Sequence, residues 1–126
     1  MKRILGLALI VTAAILISMS ACNKKPAPTQ PIPYDNYQYK VTGTTPVKVD
    51  YYDLDGVHTT LVVTPWTYNA QIYTGNQAGL DASITMIYPT DNLGIAVYKN
   101  ANLVCSKNGT GTIPSTVLYA SCYGNY

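Results

Sequence analysis

The chain beyond residue 33 is predicted to fold as a small antiparallel β-sandwich of seven or eight strands. Apolar and polar residues alternate there in short runs rich in Val, Ile, Thr and Tyr, which is typical of strands with one buried face. Gly, Pro, Asn and Asp separate these runs, and no helical period extends over a window of about 11 residues. Two sheets that each bury one apolar face would form a single core.

The first half of the domain contains four alternating runs. The residues expected to face the core are Tyr37, Tyr39 and Val41, then Val47, Val49 and Tyr51, then Val57, Thr59, Leu61 and Val63, and finally Trp66, Tyr68, Ala70 and Ile72. Asp55-Gly56 predicts a type I′ hairpin turn, after which His58 falls on the polar face. Pro65 cannot donate to a ladder and therefore marks a strand start or an edge. Trp66 is the largest side chain and is expected in the core.

The second half predicts the remaining strands. A turn cluster at residues 75–79 precedes a run whose apolar positions are Ala82, Ile84, Met86 and Tyr88. Ile95 and Val97 open a strand that turns near Asn100-Ala101 and returns through Leu103 and Cys105. After a flexible loop at 108–114, residues 116–123 form the last strand, with Leu118, Ala120 and Cys122 on one face.

The N-terminal segment predicts export and a lipid anchor. Lys2 and Arg3 precede a short apolar run at 4–17, and small residues follow, which is the pattern of a secretory signal. Ser20-Ala21-Cys22 resembles the lipobox of bacterial lipoproteins, whose cysteine is acylated with chains such as palmitate. We therefore expect a signal peptide at 1–21, a lipidated proline-rich tether at 22–33 and the domain at 34–126. The expected location is the bacterial cell envelope, with the outer membrane favoured over the inner.

Cys105 and Cys122 are the two cysteines left once Cys22 is assigned to the anchor. One remaining pair in an exported chain predicts a disulfide. The alternatives are two free thiols or a two-ligand metal site. A metal site needs further ligands, and the only histidine in the chain is His58.

The charge balance argues against a nucleic-acid partner. Removal of Lys2 and Arg3 lowers Lys plus Arg from 8 to 6, which equals the Asp plus Glu count of 6. Two of the remaining lysines lie in the tether, so the domain has an excess of two negative charges, whereas phosphate binding needs a clustered basic face.

Catalytic and metal-binding patterns are also missing. No motif places a nucleophile beside His58, and an exposed histidine without a partner does not act as a catalytic base. Asp50, Asp53 and Asp55 lie close together in the sequence, but a calcium loop of the EF-hand type needs a closing Glu, which the chain lacks, and at least Asp53 and Asp55 are better explained as turn residues. We expect no catalytic residue, no metal and no cofactor.

The tyrosines are the least ordinary feature of the composition, with 12 Tyr and no Phe. The alternation puts Tyr52, Tyr73, Tyr98 and Tyr123 opposite the core residues, where exposed rings can stack on sugars or anchor protein partners. The alternative is that Tyr substitutes for Phe and packs at the rim of the core. Both interpretations remain open at this stage.

Short motifs also occur in a familiar order over residues 37–123. They are Tyr39-Lys-Val-Thr-Gly-Thr44, the Val-x-Val-x-Tyr strand at 47–51, Asp55-Gly56, Pro65-Trp66, Ile95-Ala-Val-Tyr98 and the cysteine-bearing last strand. In this order they resemble the MmpS-like transport accessory family. The resemblance implies an immunoglobulin-like sandwich held at a membrane, with a transporter as its partner.

The functional expectation is a lipid-anchored, non-catalytic accessory or partner-binding module, attached to the membrane through Cys22 and acting on an envelope protein such as a transporter. The alternative is a module that binds carbohydrate or an envelope polymer through the exposed tyrosines. An enzyme is the third class, and almost nothing in the sequence favours it.

Overall fold

The structure, a computed structural model, describes residues 26–85, 88–110 and 117–126. The predicted signal peptide and Cys22 lie outside these ranges. The chain divides into two units, Met1–Pro31 and Ile32–Tyr126. Residues 26–33 contain no regular secondary structure and are exposed. The domain begins with the first strand at Tyr34.

Within the described ranges, eight strands form two antiparallel four-stranded sheets, and the predicted β-sandwich is confirmed. The strands are β1 (Tyr34–Gly43), β2 (Val47–Asp53), β3 (Gly56–Val62), β4 (Trp66–Tyr73), β5 (Ala78–Thr85), β6 (Leu93–Lys99), β7 (Asn102–Asn108) and β8 (Val117–Gly124). Sheet A has the order β4-β1-β6-β7, and sheet B has the order β3-β2-β5-β8.

The core lies between the inward faces of the two sheets. Alternate residues of β1, β2, β5, β6 and β8 are buried there, as their apolar periodicity predicts. Tyr39 is fully buried at the centre, and its hydroxyl donates a hydrogen bond to the carbonyl oxygen of Tyr52 at 2.9 Å. A buried phenol needs such a partner, and burial raises the pKa of Tyr39 well above its usual value.

Cys105 of β7 and Cys122 of β8 lie at disulfide distance, with their Cα atoms 6.1 Å apart. β7 ends sheet A and β8 ends sheet B, so this pair joins the two sheets along one side of the sandwich. For a sequence separation of 17, the chain-entropy model gives a stabilisation of about 3 kcal/mol.

The predicted facing of β3 is wrong. Val57, Leu61 and Val63 are 60%, 69% and 73% exposed, whereas Val62 is buried. The cause is the register with β2, in which the inward residues Val47 and Val49 lie opposite Val62 and Thr60. His58 shares the inward face with these partners of β2, so its predicted position on the polar face is also wrong.

The β2–β3 and β6–β7 turns differ in backbone conformation. The β2–β3 turn has Leu54 and Asp55 at its centre, so the predicted type I′ turn at Asp55-Gly56 is wrong, and Gly56 (φ 120°) opens β3. The type I′ pattern of two positive φ angles occurs instead at the β6–β7 turn, where Asn100 has φ 48° and Ala101 has φ 69°. Ala101 therefore adopts a conformation that disfavours a residue with a Cβ atom.

Three further expectations need correction. β5 begins at Ala78, inside the predicted turn cluster, because its ladder with β8 continues to the Ala78–Gly124 pair. β5 ends at Thr85, and Tyr88 lies exposed beyond it, while Met86 falls outside the described residues. A bulge leaves Val104 as an extra residue on β7, so Leu103 is exposed and does not share a face with Cys105.

Candidate functional site

The outward face of sheet B carries a group of polar and aromatic side chains that the core does not use. Side chains alternate across each strand, so the inward positions of β2, β5 and β8 fix which residues point outward. We use the name tyrosine face for five of these outward residues: Tyr52, Asp50, Asp81, Tyr119 and Tyr123. In the ladders, Asp50 lies directly opposite Asp81 across β2 and β5, and Gly79 lies opposite Tyr123 across β5 and β8.

Gly79 makes room for two rings. A Cβ atom at this position would lie 2.7 Å from Cδ2 of Tyr52 and closer still to the ring carbons of Tyr123. The Tyr123 ring therefore rests on the backbone of β5, and the Tyr52 ring meets it edge-on, with centroids 5.8 Å apart and planes at 89°. Aromatic side chains often cover a strand glycine in this way, which protects the backbone and also leaves one ring surface toward solvent.

Asp81 links two of the tyrosines. The Tyr119 hydroxyl donates to its Oδ1 atom at 2.9 Å, and the Tyr123 hydroxyl donates to its Oδ2 atom. Burial and the nearby carboxylate together raise the pKa of Tyr123. The carboxylate is held in one orientation by the two donors, one on each oxygen.

Asp50 is the second carboxylate of the face. It accepts a hydrogen bond from the Thr59 hydroxyl at 2.5 Å, and the Lys48 ammonium lies 3.7 Å from its other oxygen. Because Lys48 is exposed, this ion pair contributes little to stability. With Lys48 counted, the face has a small negative charge.

Only two of the four predicted contact tyrosines lie together, and the other two lie on sheet A. Tyr52 and Tyr123 come together on the tyrosine face. Tyr98 lies on the outward side of sheet A, where the Lys40 ammonium sits 4.7 Å from its ring centroid, and Tyr73 is exposed at the end of β4. Sequence reasoning missed Tyr119, although its alternation with buried Leu118 and Ala120 was the available signal.

A second polar cluster closes the β2–β3 hairpin. The Asp53 carboxylate accepts hydrogen bonds from the Asp55 backbone N–H at 2.8 Å and the Tyr68 hydroxyl at 3.0 Å, and it lies 2.8 Å from Nε2 of His58. Burial alone raises the pKa of Asp53, but these hydrogen bonds outweigh it and hold the pKa below the usual value. The hydrogen bond to Asp53 and burial raise the pKa of Tyr68 to about 12.

This cluster packs beside an aromatic group that covers the open side of the sandwich. The Tyr51 ring lies 4.5 Å from Tyr68, 5.6 Å from Trp66 and 5.3 Å from His58, measured between centroids. Trp66 is only partly buried, so its expected place within the core needs correction: β4 is an edge strand, and the indole packs against the core from the rim. The geometry gives His58 and Asp53 a structural role in holding the hairpin against β4.

An open groove of ≈ 660 Å³ lies along β4 and the β2–β3 turn. Its polar lining consists mainly of side-chain amides and carboxylates: Asn36, Gln38, Asn69, Gln71, Asp53 and Asp55. The amides pair with each other across β1 and β4, with Gln38 donating to Asn69 at 3.0 Å and Gln71 donating to Asn36 at 3.4 Å. These groups therefore satisfy one another, and the groove has fewer free hydrogen-bonding positions than its lining suggests.

Within the described ranges, no group of three or more His, Cys, Asp or Glu side chains is placed to hold a metal ion. No helix in the same ranges is long and apolar enough to span a membrane.

Neither a protein-family model nor a curated protein sequence matches this chain.

Proposed function

We propose that the domain is a non-catalytic binding module of the bacterial cell envelope and that its tyrosine face binds a neutral, hydroxyl-rich glycan chain. The observation that carries this proposal is the arrangement of Tyr123 on Gly79, with Asp81 beside it. A ring that lies on the sheet offers its other surface to the C–H groups of a sugar. The oriented carboxylate accepts hydrogen bonds from sugar hydroxyls.

The charge of the face favours a neutral chain over an acidic one. Asp50 and Asp81 are adjacent in the ladder, and Lys48 compensates only one of them. A polyanion would place further negative charge against these carboxylates, which costs free energy unless cations accompany it. The five residues of the tyrosine face lie on the outward side of a sheet, and such a surface suits an extended polymer better than a small, enclosed ligand.

The proposed setting is a lipid anchor at Cys22 followed by a proline-rich tether. Residues 26–33 are exposed and without regular secondary structure, which supports a spacer between anchor and domain. Confinement at a surface raises the effective concentration, so weak contacts with an envelope polymer become sufficient. Cys22→Ser should release the protein from membranes or leave the signal uncut, and unchanged fractionation without acyl mass on the wild type would exclude the anchor.

The binding experiment uses two tyrosines of equal exposure. Tyr123 and Tyr73 are both 41% exposed, but only Tyr123 belongs to the tyrosine face. We expect Tyr123→Ala to weaken retention of the full chain on insoluble envelope glycans by about tenfold, since stacking of one ring contributes about 1 kcal/mol or more. Tyr73→Ala should leave retention unchanged. Equal effects of the two substitutions would exclude the face as the binding surface.

A second variant separates ring position from ring chemistry. Gly79→Ala keeps every tyrosine but forces both rings off β5, because the new Cβ atom overlaps them. Binding should fall as in Tyr123→Ala, with the fold retained in near-UV circular dichroism. Retention of full binding by a folded Gly79→Ala protein would contradict the proposed role of the Tyr123 ring that rests on Gly79.

The transporter-accessory role stays a competing proposal that rests on the sequence resemblance alone. The two proposals differ in what copurifies with the anchored chain. Capture of a membrane transporter that survives Tyr123→Ala, together with no retention on glycan, would favour the accessory role.

A further inference from the structure

We infer that β3 is a self-association edge, through which two copies of this chain join their B sheets into one continuous eight-stranded sheet. This inference does not depend on what the tyrosine face binds. It rests on three features of β3: an open edge, exposed apolar side chains and a self-complementary order of residues.

The edge of β3 is accessible. β3 is the last strand of sheet B, and the neighbouring β2 packs against β4, which is itself the last strand of sheet A. In the described part of the chain, one side of the β3 backbone is therefore not paired within sheet B.

The backbone of β3 can pair with a further strand. The Val62 carbonyl faces β2, since it accepts a hydrogen bond from the Thr45 hydroxyl at 3.5 Å. Backbone polar groups of successive strand residues point in alternate directions, so Leu61 and Thr59 direct their N–H and C=O groups to the open edge. Natural edge strands commonly carry Lys, Pro or a bulge against pairing, and Gly56–Val62 has neither residue and keeps a regular register with β2.

The side chains make a second copy the fitting partner. Val57 and Leu61 are largely exposed and flank Thr59 at equal distance along the strand. A two-fold axis through Thr59 in an antiparallel pair would place each Val57 opposite Leu61 of the second copy, with the two Thr59 residues opposite each other. Isologous pairing of this kind would cover Val57 and Leu61 in both copies, and cross-strand apolar pairs stabilise a sheet.

The dimer joined through β3 would have a defined geometry. Strand spacing of about 4.8 Å puts the two β5 strands about 24 Å apart in the joined sheet, with both tyrosine faces on the same side. Two contact surfaces on one rigid sheet would engage a polymer together, which raises avidity without any new contact. One strand per copy is a small interface, so we expect a weak dimer whose formation depends on protein concentration.

The test is oxidative crosslinking of the full chain in the cells that export it. Thr59→Cys puts one cysteine on the two-fold axis, where the expected Cα separation of about 5.5 Å suits a disulfide. Thr67→Cys on the edge strand β4 is the matched control, since it is also exposed. We expect at least tenfold more covalent dimer from Thr59→Cys than from Thr67→Cys. Equal yields, or no dimer from either, would overturn the inference.

A second pair of variants tests the contact of Leu61 with Val57 of the second copy. Leu61→Lys in the Thr59→Cys chain should reduce the dimer at least fivefold, because it places charges against Val57 of the second copy. Leu103→Lys on β7, where the leucine is 56% exposed, should have no effect. Light scattering of the detergent-solubilised full chain should show a concentration-dependent dimer that Leu61→Lys removes. A wild-type monomer at every concentration, or crosslinking of Thr59→Cys only to a different protein, would also overturn the inference.

Discussion

Val62 and Leu61 are neighbours on β3, but one side chain is buried and the other is exposed. Val62 is 7% exposed and packs in the core, whereas Leu61 points to solvent. Val62→Ala removes two methyl groups, each contributing about 0.8 kcal/mol of transfer free energy, and adds a cavity term. We expect a loss of about 2 kcal/mol in the free energy of unfolding. Leu61→Ala should change it by less than about 0.5 kcal/mol, although it deletes more carbon atoms.

The assay is urea unfolding followed by the fluorescence of Trp66, the single tryptophan of the chain. The expected loss for Val62→Ala corresponds to about a 30-fold change in the folding equilibrium and a fall in Tm of about 8–16 °C for a domain of this size. The dependence on urea should be the same for both variants, since the folded surface hardly changes.

One control separates folding from self-association. Unfolding is measured at two protein concentrations that differ tenfold, because a dimer contribution from Leu61 would make the midpoint concentration-dependent. If Leu61→Ala costs more than Val62→Ala at the lower concentration, the β3 register described above is wrong. The alternation predicted from the sequence would then be correct.

Three other predictions concern the turns, the hairpin cluster and the cysteine pair. Ala101→Gly should raise the free energy of unfolding by about 0.5–1 kcal/mol, because the αL penalty of about 1–2 kcal/mol exceeds the entropy cost of glycine; a loss of stability in urea unfolding would contradict this. The lowered pKa of Asp53 means that its contribution is fully present above its ordinary value of 3.8 and is lost as the pH falls through the lower folded value. Between about pH 5 and 2 the wild type should therefore lose more stability than Asp53→Asn, and parallel pH profiles would refute that assignment. Replacing Cys105 and Cys122 together by Ala should cost about 3 kcal/mol, and an unchanged denaturation midpoint under non-reducing conditions would show that the pair does not crosslink the native protein.

The period-two pattern of the sequence was enough to predict the sandwich and most of the core. β1 is a central strand, and its apolar residues alternate against polar ones, so its buried face is unambiguous. β3 is different because Val57, Leu61 and Val62 are all apolar, and alternation alone cannot choose between two faces. The choice was made by pairing with β2, which is a tertiary constraint.

The contact surface was predictable only in part. Tyr123 is exposed, whereas Tyr52 is only partly exposed and also packs against the core cluster. Their meeting over Gly79 depends on the pairing of β5 with both β2 and β8. Gly79 itself was interpreted as a turn residue, since it ends the Gly- and Asn-containing cluster at residues 75–79, and such clusters usually mark a turn. The link from His58 to Asp53 was missed for the same reason as the β3 register, because it requires His58 to face inward.

The most direct test of the tyrosine face measures which tyrosine rings are covered in the native envelope. Hydroxyl-radical footprinting of the full chain, read by mass spectrometry, reports the solvent exposure of each ring before and after the envelope glycans are removed enzymatically. We predict that Tyr119 and Tyr123 are protected in intact envelopes and become reactive on glycan removal, while Tyr88 and Tyr73, which are exposed outside the face, react equally in both states. Equal reactivity of Tyr123 and Tyr73 in intact envelopes, or protection of Tyr123 that survives glycan removal, would contradict the proposal.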